Sequence, residues 1–173
     1  MRIASSVLLL VFCLTGLVAA EPQVVGIYAD RLHDSNLTSC PNCGRPIRAG
    51  AIHQDAEAIL IDELRQGLAD SGASYNLGRD ESRTIQVFVF RFEERRGGNF
   101  AAERPASVGF HLHLVDRKRV TKIFEFDETQ APLSENILKF GTFLRRGMRW
   151  VTSRELAEEG IEKGIIFLQE DLR

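Results

Sequence analysis

Alternating apolar and polar residues mark three consecutive strands in the middle of the chain. They lie at Thr84–Phe92, Ser107–Asp116 and Val120–Asp127, and polar segments separate them. A period of two residues places successive side chains on opposite faces of a sheet. The pattern therefore predicts a three-stranded antiparallel meander at the centre of the fold.

The register of the last two strands follows from keeping their apolar side chains on one face. A three-residue turn at Arg117–Arg119 pairs Phe110 with Phe126, whereas a two-residue turn would set Phe110 against Glu125. A slip of one residue would move every side chain to the other face. We therefore predict the three-residue turn.

Apolar spacing and end signals predict the elements around the meander. A short strand at Val24–Tyr28 comes first, and helical spacing then runs over Ala51–Ser71. A glycine at position 72 is placed to end this helix. Ser134 is a suitable N-cap for a second helix, and Thr152 begins a capping box that starts a third. Tyr75–Leu77 fits either an edge strand or a loop.

These elements together predict a two-layer α+β domain. About three helices would pack on one face of a mainly antiparallel sheet. The first meander strand also carries a second apolar face, where Ile85, Val87 and Val89 alternate with other apolar residues. We expect either a helix that crosses to the far side or another protein chain to cover that face.

The first twenty residues have the pattern of a secretory signal peptide. A short basic lead precedes an apolar run from Val7 to Val18, and small residues follow it up to Ala20. This run is too short for a membrane span, which needs about 20 apolar residues. We expect cleavage after Ala20, which leaves residues 21–173 as a single exported domain. Lipidation at Cys13 is disfavoured, because a bulky phenylalanine precedes that cysteine.

The charge balance and the motif content both restrict the function. After cleavage, 21 of the 22 Lys and Arg residues stand against 24 Asp and Glu residues. A nucleic-acid-binding protein normally has a basic excess, so that class is disfavoured. The sequence contains no Gly-x-Ser-x-Gly elbow, no His-Glu-x-x-His and no phosphate-binding glycine loop. We therefore expect a protein that is not an enzyme.

Cys40 and Cys43 form the sharpest local signal. The turn Cys-Pro-Asn-Cys-Gly is similar to the knuckles of zinc ribbons and rubredoxins, and zinc requires four ligands. His33 and His53 are candidates to complete a site. A structural disulfide is the competing interpretation, because an exported protein meets an oxidising environment. A redox-active thiol pair is the third, and it is disfavoured because no helix N-terminus follows Cys40 to lower its pKa.

Two further groups are candidate contact or ligand residues. His111 and His113 share the strand face opposite the apolar one and lie across from Glu125 and its neighbours. These three residues are candidates for a second metal site or for a solvated sheet face. The other group lies on the long connection between the first two meander strands. There, Phe100, Arg95 and Arg96 are candidate contacts for a partner.

The chain resembles exported accessory proteins of the Gram-negative envelope, such as CsgG-like and TolB-N-terminal-like small α/β domains. The likeness is carried by the strand Val24–Tyr28, the helix Ala51–Ser71 and the hairpin Phe110–Phe126. It implies a periplasmic, non-catalytic binding or assembly protein, with an outer-membrane association, an envelope protein partner and homo-oligomers as further expectations. The alternative function is a zinc-binding or thiol-redox protein acting through Cys40 and Cys43.

Overall fold

A five-stranded sheet forms the centre of the protein, and a computed structural model describes residues 24–97, 102–130 and 151–172. In chain order the elements are β1 (Val25–Arg31), α1 (Ala56–Asp70), β2 (Tyr75–Leu77), β3 (Arg83–Glu93), β4 (Arg96–Gly97), β5 (Ala102–Arg104), β6 (Ser107–Asp116), β7 (Arg119–Thr129) and α2 (Ser153–Leu168). The large sheet has the order β2-β1-β3-β6-β7, and β4 pairs with β5 in a separate hairpin. The predicted α+β class is confirmed.

The sheet is mixed, so the prediction of a mainly antiparallel sheet holds only for the part formed by β3, β6 and β7. β1 pairs in parallel with both β2 and β3, while β3, β6 and β7 form the predicted antiparallel meander. Parallel neighbours need a connection of a dozen or more residues, usually with a helix. The segment that contains α1 supplies that connection between β1 and its two parallel partners.

Both described helices pack on the same face of the sheet. Their buried side chains join those of the strands in one core, in which Leu60, Leu64, Leu156 and Leu168 are fully covered.

α1 begins at Ala56, five residues later than predicted. The residues before it lie along β3 instead, where the backbone N–H at position 53 donates to the carbonyl of position 92 and Phe92 N–H donates to the carbonyl of position 51. The predicted helix that begins at Ser134 lies outside the described residues.

The start of α2 and its contact with the sheet agree with the sequence. The Thr152 hydroxyl accepts from the backbone N–H of Glu155, and the Glu155 carboxylate accepts from the backbone N–H of Thr152. Gly160 and Gly164 lie directly against the sheet, since an added Cβ would come within 2.8 Å of Phe126 and 2.3 Å of Leu112 respectively. Phe167, near the end of α2, is 44% exposed.

The β6–β7 hairpin has the predicted register but a different turn. Phe110 pairs with Phe126 as expected, although the turn contains only Arg117 and Lys118. Both residues have positive φ angles, of 47° and 68°, as in a two-residue type I′ turn. A bulge at Thr121 inserts one extra residue into β7 and restores the predicted pairing.

The chain's own irregular segment covers the second apolar face of β3. The side chains of Ile85, Val87 and Val89 belong to the core on the helical side, so Phe88 and Phe90 form the far face. Leu32, Cys40 and Ile47, all from the segment between β1 and α1, bury these two rings in a second, smaller core. The helices thus cover Ile85, Val87 and Val89 themselves, and the irregular segment covers the other face, which carries Phe88 and Phe90.

Candidate metal centre

The two cysteines lie in a tight turn that projects both thiols toward the sheet. Gly44 has a φ angle of +72°, which glycine adopts without a steric penalty. Its backbone N–H donates to the carbonyl of Cys40 at 2.8 Å, and Cys40 N–H donates to the carbonyl of Arg45 at the same distance. We call residues 39–46, which close on the bridge between Ser39 and Pro46, the knuckle. Cys40 is buried, Cys43 is half-buried, and neither forms a disulfide in this structure.

The two histidines lie beneath the knuckle on β6. Because they are two positions apart on one strand, their side chains point to the same face of the sheet. That face is opposite the helices, and the knuckle covers it, so His111 and His113 are both 0% exposed. The interpretation of this face as solvated is therefore wrong for the two histidines, although Glu125 is exposed. The ring of His111 meets Phe90 edge-on, at 5.1 Å between centroids.

The knuckle and β6 together bring four potential metal ligands to one point. Cys40 Sγ lies 3.7 Å from His113 Nε2, and Cys43 Sγ lies 3.6 Å from His111 Nδ1. One ligand atom from each of these four residues lies within 4.8 Å of all the others. The sequence predicts two separate candidate sites, one at the cysteines and one at the histidines. The fold joins them into a single cluster.

The spacing of these atoms fits a tetrahedral ion. Zinc binds sulfur at about 2.3 Å and imidazole nitrogen at about 2.0–2.1 Å, so a tetrahedral angle places the two atoms about 3.6 Å apart. The two sulfur–nitrogen distances agree with this value. Two thiols and two imidazoles are also a donor set that zinc prefers. The four residues therefore fit a zinc ion in their chemistry and in these two distances.

Burial favours the uncharged forms of His111, His113 and Cys40 when no ion is bound. It lowers the pKa of His111 and of His113 to about 4, and the positive charge of Arg45 acts in the same direction. It raises the pKa of the Cys40 thiol to about 11. Neutral imidazoles can bind a metal directly, whereas thiols must release their protons when the metal binds. A raised pKa is the opposite of what activates a redox thiol, which further disfavours that interpretation of Cys40.

Ion pairs surround the site without entering it. Arg45, which follows the knuckle glycine, lies 3.6 Å from the carboxylate of Glu125 on β7. Asp127, two residues further along, accepts from Arg48 Nε at 2.6 Å and also pairs with Arg91. These contacts fasten the segment that carries the cysteines to the edge of the sheet.

The remaining candidate residues lie elsewhere. Among the described residues, the metal-ligand cluster does not include His33, His53 or Glu125. The first two are exposed, and the third faces Arg45. Arg96 lies exposed in β4, Arg95 immediately precedes it, and Phe100 lies outside the described residues.

Sequence reasoning also missed two polar residues beside the site. Gln86 on β3 contacts His113, and Asn42 lies between the cysteines and contacts Gln86. The only sequence signal for Gln86 was a polar residue within an apolar strand.

Comparisons with known proteins give structural similarities alone. No protein-family model and no curated protein matches the chain. A protein of the DUF330 family from Xanthomonas campestris is 16% identical, with 86% of each chain covered and a TM-score of 0.48. The PelC dodecamer from Paraburkholderia phytofirmans is 14% identical, with 83% of this chain and 84% of that chain covered and a TM-score of 0.44. A minor lipoprotein from Acinetobacter baumannii is 8% identical, with 87% and 94% covered and a TM-score of 0.42. Similarities at this level assign neither a family nor a function.

Neither helix in the described part of the chain is long and apolar enough to cross a membrane.

Proposed function

We propose that this chain is a zinc-binding protein whose ion is held by Cys40, Cys43, His111 and His113. The observation that carries the proposal is the convergence of two sulfur and two nitrogen atoms within 4.8 Å of one another. Their burial supports it, since a bound ion would satisfy polar groups that are packed against the rings of Phe88 and Phe90.

The role of the ion in this proposal is structural. Four protein ligands complete a tetrahedral shell, whereas catalytic zinc sites keep one position for water or substrate. The ligands also come from two distant parts of the chain, because the cysteines precede β3 and the histidines lie on β6. The ion would fasten the irregular segment between β1 and α1 to the sheet. A closed site of this kind supports a protein that is not an enzyme.

Native mass spectrometry of residues 21–173 tests metal binding directly. After reduction and addition of one equivalent of zinc, the mass should rise by one zinc ion, and a chelator should remove it. Cys43→Ser and His111→Asn should each lower zinc occupancy at least about tenfold, because three ligands hold the ion much less tightly than four. His53→Asn is the matched control and should bind zinc normally, because that side chain lies outside the cluster.

The same spectra distinguish the two competing states of the cysteines. A reduced, zinc-supplied protein that stays metal-free would refute the proposal. If the protein as isolated gains two hydrogens on reduction, its cysteines form a disulfide instead.

The cellular role that we propose is a non-catalytic binding or assembly protein of the bacterial envelope. Its support is the signal-peptide pattern of residues 1–20. Expression of the full chain in a Gram-negative host should yield a periplasmic protein whose N-terminus is Glu21, measured by fractionation and N-terminal sequencing. A protein that stays in the cytoplasm with Met1 intact would contradict this role.

A further inference from the structure

A chain of buried polar groups connects His113 to the surface through Gln86. His113 Nδ1 lies 3.0 Å from Gln86 Oε1, and Gln86 Nε2 donates to Asp30 Oδ2 at 2.8 Å. Asp30 in turn pairs with Arg79 at the surface. Gln86 is only 6% exposed and His113 is fully buried, so water competes little for these hydrogen bonds.

This chain fixes the orientation of the Gln86 amide. A carboxylate only accepts hydrogen bonds, so the NH₂ group of Gln86 must face Asp30. The amide oxygen must then face His113. It also accepts a second hydrogen bond, from Asn42 Nδ2 at 3.1 Å.

The same orientation fixes the tautomer of His113. Because an oxygen faces Nδ1, that nitrogen must carry the proton, which leaves the lone pair on Nε2. Nε2 is the atom that lies 3.7 Å from Cys40 Sγ. The proton is therefore directed away from the metal position, and the lone pair is directed toward it.

The second histidine has no such support. The Nε2 atom of His111 is buried without a hydrogen-bond partner among the described residues, while its Nδ1 atom faces Cys43. Polar support is thus concentrated on His113 and, through Asn42, on the turn between the two cysteines.

We propose that Gln86 is a positioning residue for the metal, which holds His113 in its metal-binding tautomer and holds the knuckle against it. This inference rests on the proposed zinc site. Residues that orient a metal-binding histidine through its second nitrogen typically change metal affinity by about 10–100-fold. Gln86 acts on both segments that carry the ligands. Its side-chain oxygen contacts His113 on β6 and also Asn42, which lies between the two cysteines in the knuckle.

The first test removes the amide and measures the zinc dissociation constant by competition with a chromophoric chelator. Gln86→Leu should weaken zinc binding about 10–100-fold. Gln66→Leu, the same substitution on α1, is the matched control, since Gln66 lines a groove between the two helices on the other face of the sheet. The control should bind zinc as the unsubstituted protein does.

A second variant separates positioning from a simple loss of stability. Gln86→Glu combined with Asp30→Asn keeps the net charge, keeps an oxygen toward His113 and reverses the hydrogen bond between positions 86 and 30. It also removes the surface ion pair of Asp30 with Arg79, which lies away from the metal position. It should retain zinc affinity within about threefold, because position 86 still offers an oxygen that accepts the Nδ1 proton and so orients the histidine. Long-range ¹H–¹⁵N NMR of the metal-free protein should show the proton of His113 on Nδ1 in this variant, and a mixture of tautomers in Gln86→Leu.

The outcomes distinguish this inference from the proposed function. If the unsubstituted protein binds no zinc, the proposed site fails and the positioning role fails with it. If it binds zinc and Gln86→Leu binds equally well, only the role of Gln86 is refuted. A folded double variant that loses as much affinity as Gln86→Leu would also refute it.

Discussion

Zinc should raise the free energy of unfolding of this protein by about 4 kcal/mol when its free concentration is 1,000 times the dissociation constant. A bound ion would stabilise the folded state, because only folding brings the four proposed ligands together. Cys40 and His113 are 73 positions apart in the chain, so the unfolded protein cannot present all four ligands in one place. Urea unfolding followed by circular dichroism, with zinc and with a chelator, measures this difference.

Matched variants assign the difference to the cluster. Cys40→Ser should abolish the zinc-dependent increase, because three ligands remain. His53→Ala should retain it in full, since this exposed histidine lies outside the cluster. Equal unfolding midpoints with zinc and with chelator would contradict the prediction.

The stabilisation should also be local. Residues 32–53 have no regular secondary structure apart from the bridges at the knuckle and at Ile52, and they cover only a small core. Few buried contacts and few ladder hydrogen bonds mark a region that opens at low cost. On chelation, amide hydrogen exchange should therefore rise in this segment while the buried face of α1 stays protected.

Features that depend on neighbouring residues were predictable from the sequence. The capping box at Thr152 and Glu155 needs only two residues three positions apart, and both of its hydrogen bonds are present. The β6–β7 register followed from keeping Phe110 and Phe126 on one face. The turn was not predictable, because a bulge at Thr121 shifts the pairing by one residue and no local pattern marked it.

The site was only half predictable, because it joins segments that are distant in sequence. Cys40 and Cys43 carried a recognisable turn motif. Alternation on β6 placed His111 and His113 on one face, but such a pattern fits a solvated face as well as a buried one. Only the position of the knuckle over that face decides between them, and this position depends on packing against Phe88 and Phe90 rather than on any local signal.

The direction of β1 was unpredictable for a related reason. Alternating residues indicate a strand but do not state which neighbours it has or how it runs relative to them. The parallel pairing of β1 with β3 follows from the crossover through α1. That crossover also leaves the long irregular segment on the face opposite the helices, where it reaches β6.

Phe110→Ala should lower the free energy of unfolding by about 3–5 kcal/mol, the cost of leaving a cavity in place of a buried ring. Phe110 is 0% exposed, and its ring centroid lies 5.3 Å from that of Phe126. The backbone of α2 lies directly on this ring, because an added Cβ at Gly160 would come within 2.9 Å of it. A helix backbone fixed by its own hydrogen bonds cannot move in to fill the space, so we expect a value in the upper part of this range.

Two comparisons make the Phe110 prediction specific to the helical side of the sheet. Phe167→Ala, the same substitution at a ring that is 44% exposed, should cost only about 1–2 kcal/mol, because less apolar surface is lost from the interior. Phe110→Ala should still bind one zinc ion, since its side chain and those of His111 and His113 lie on opposite faces of β6. Denaturant unfolding of the zinc-loaded proteins measures the first comparison, and native mass spectrometry measures the second.

A cost for Phe110→Ala no larger than that for Phe167→Ala would show that α2 is not packed on this ring. Loss of zinc from a folded Phe110→Ala protein would show that the two faces of the sheet are not independent.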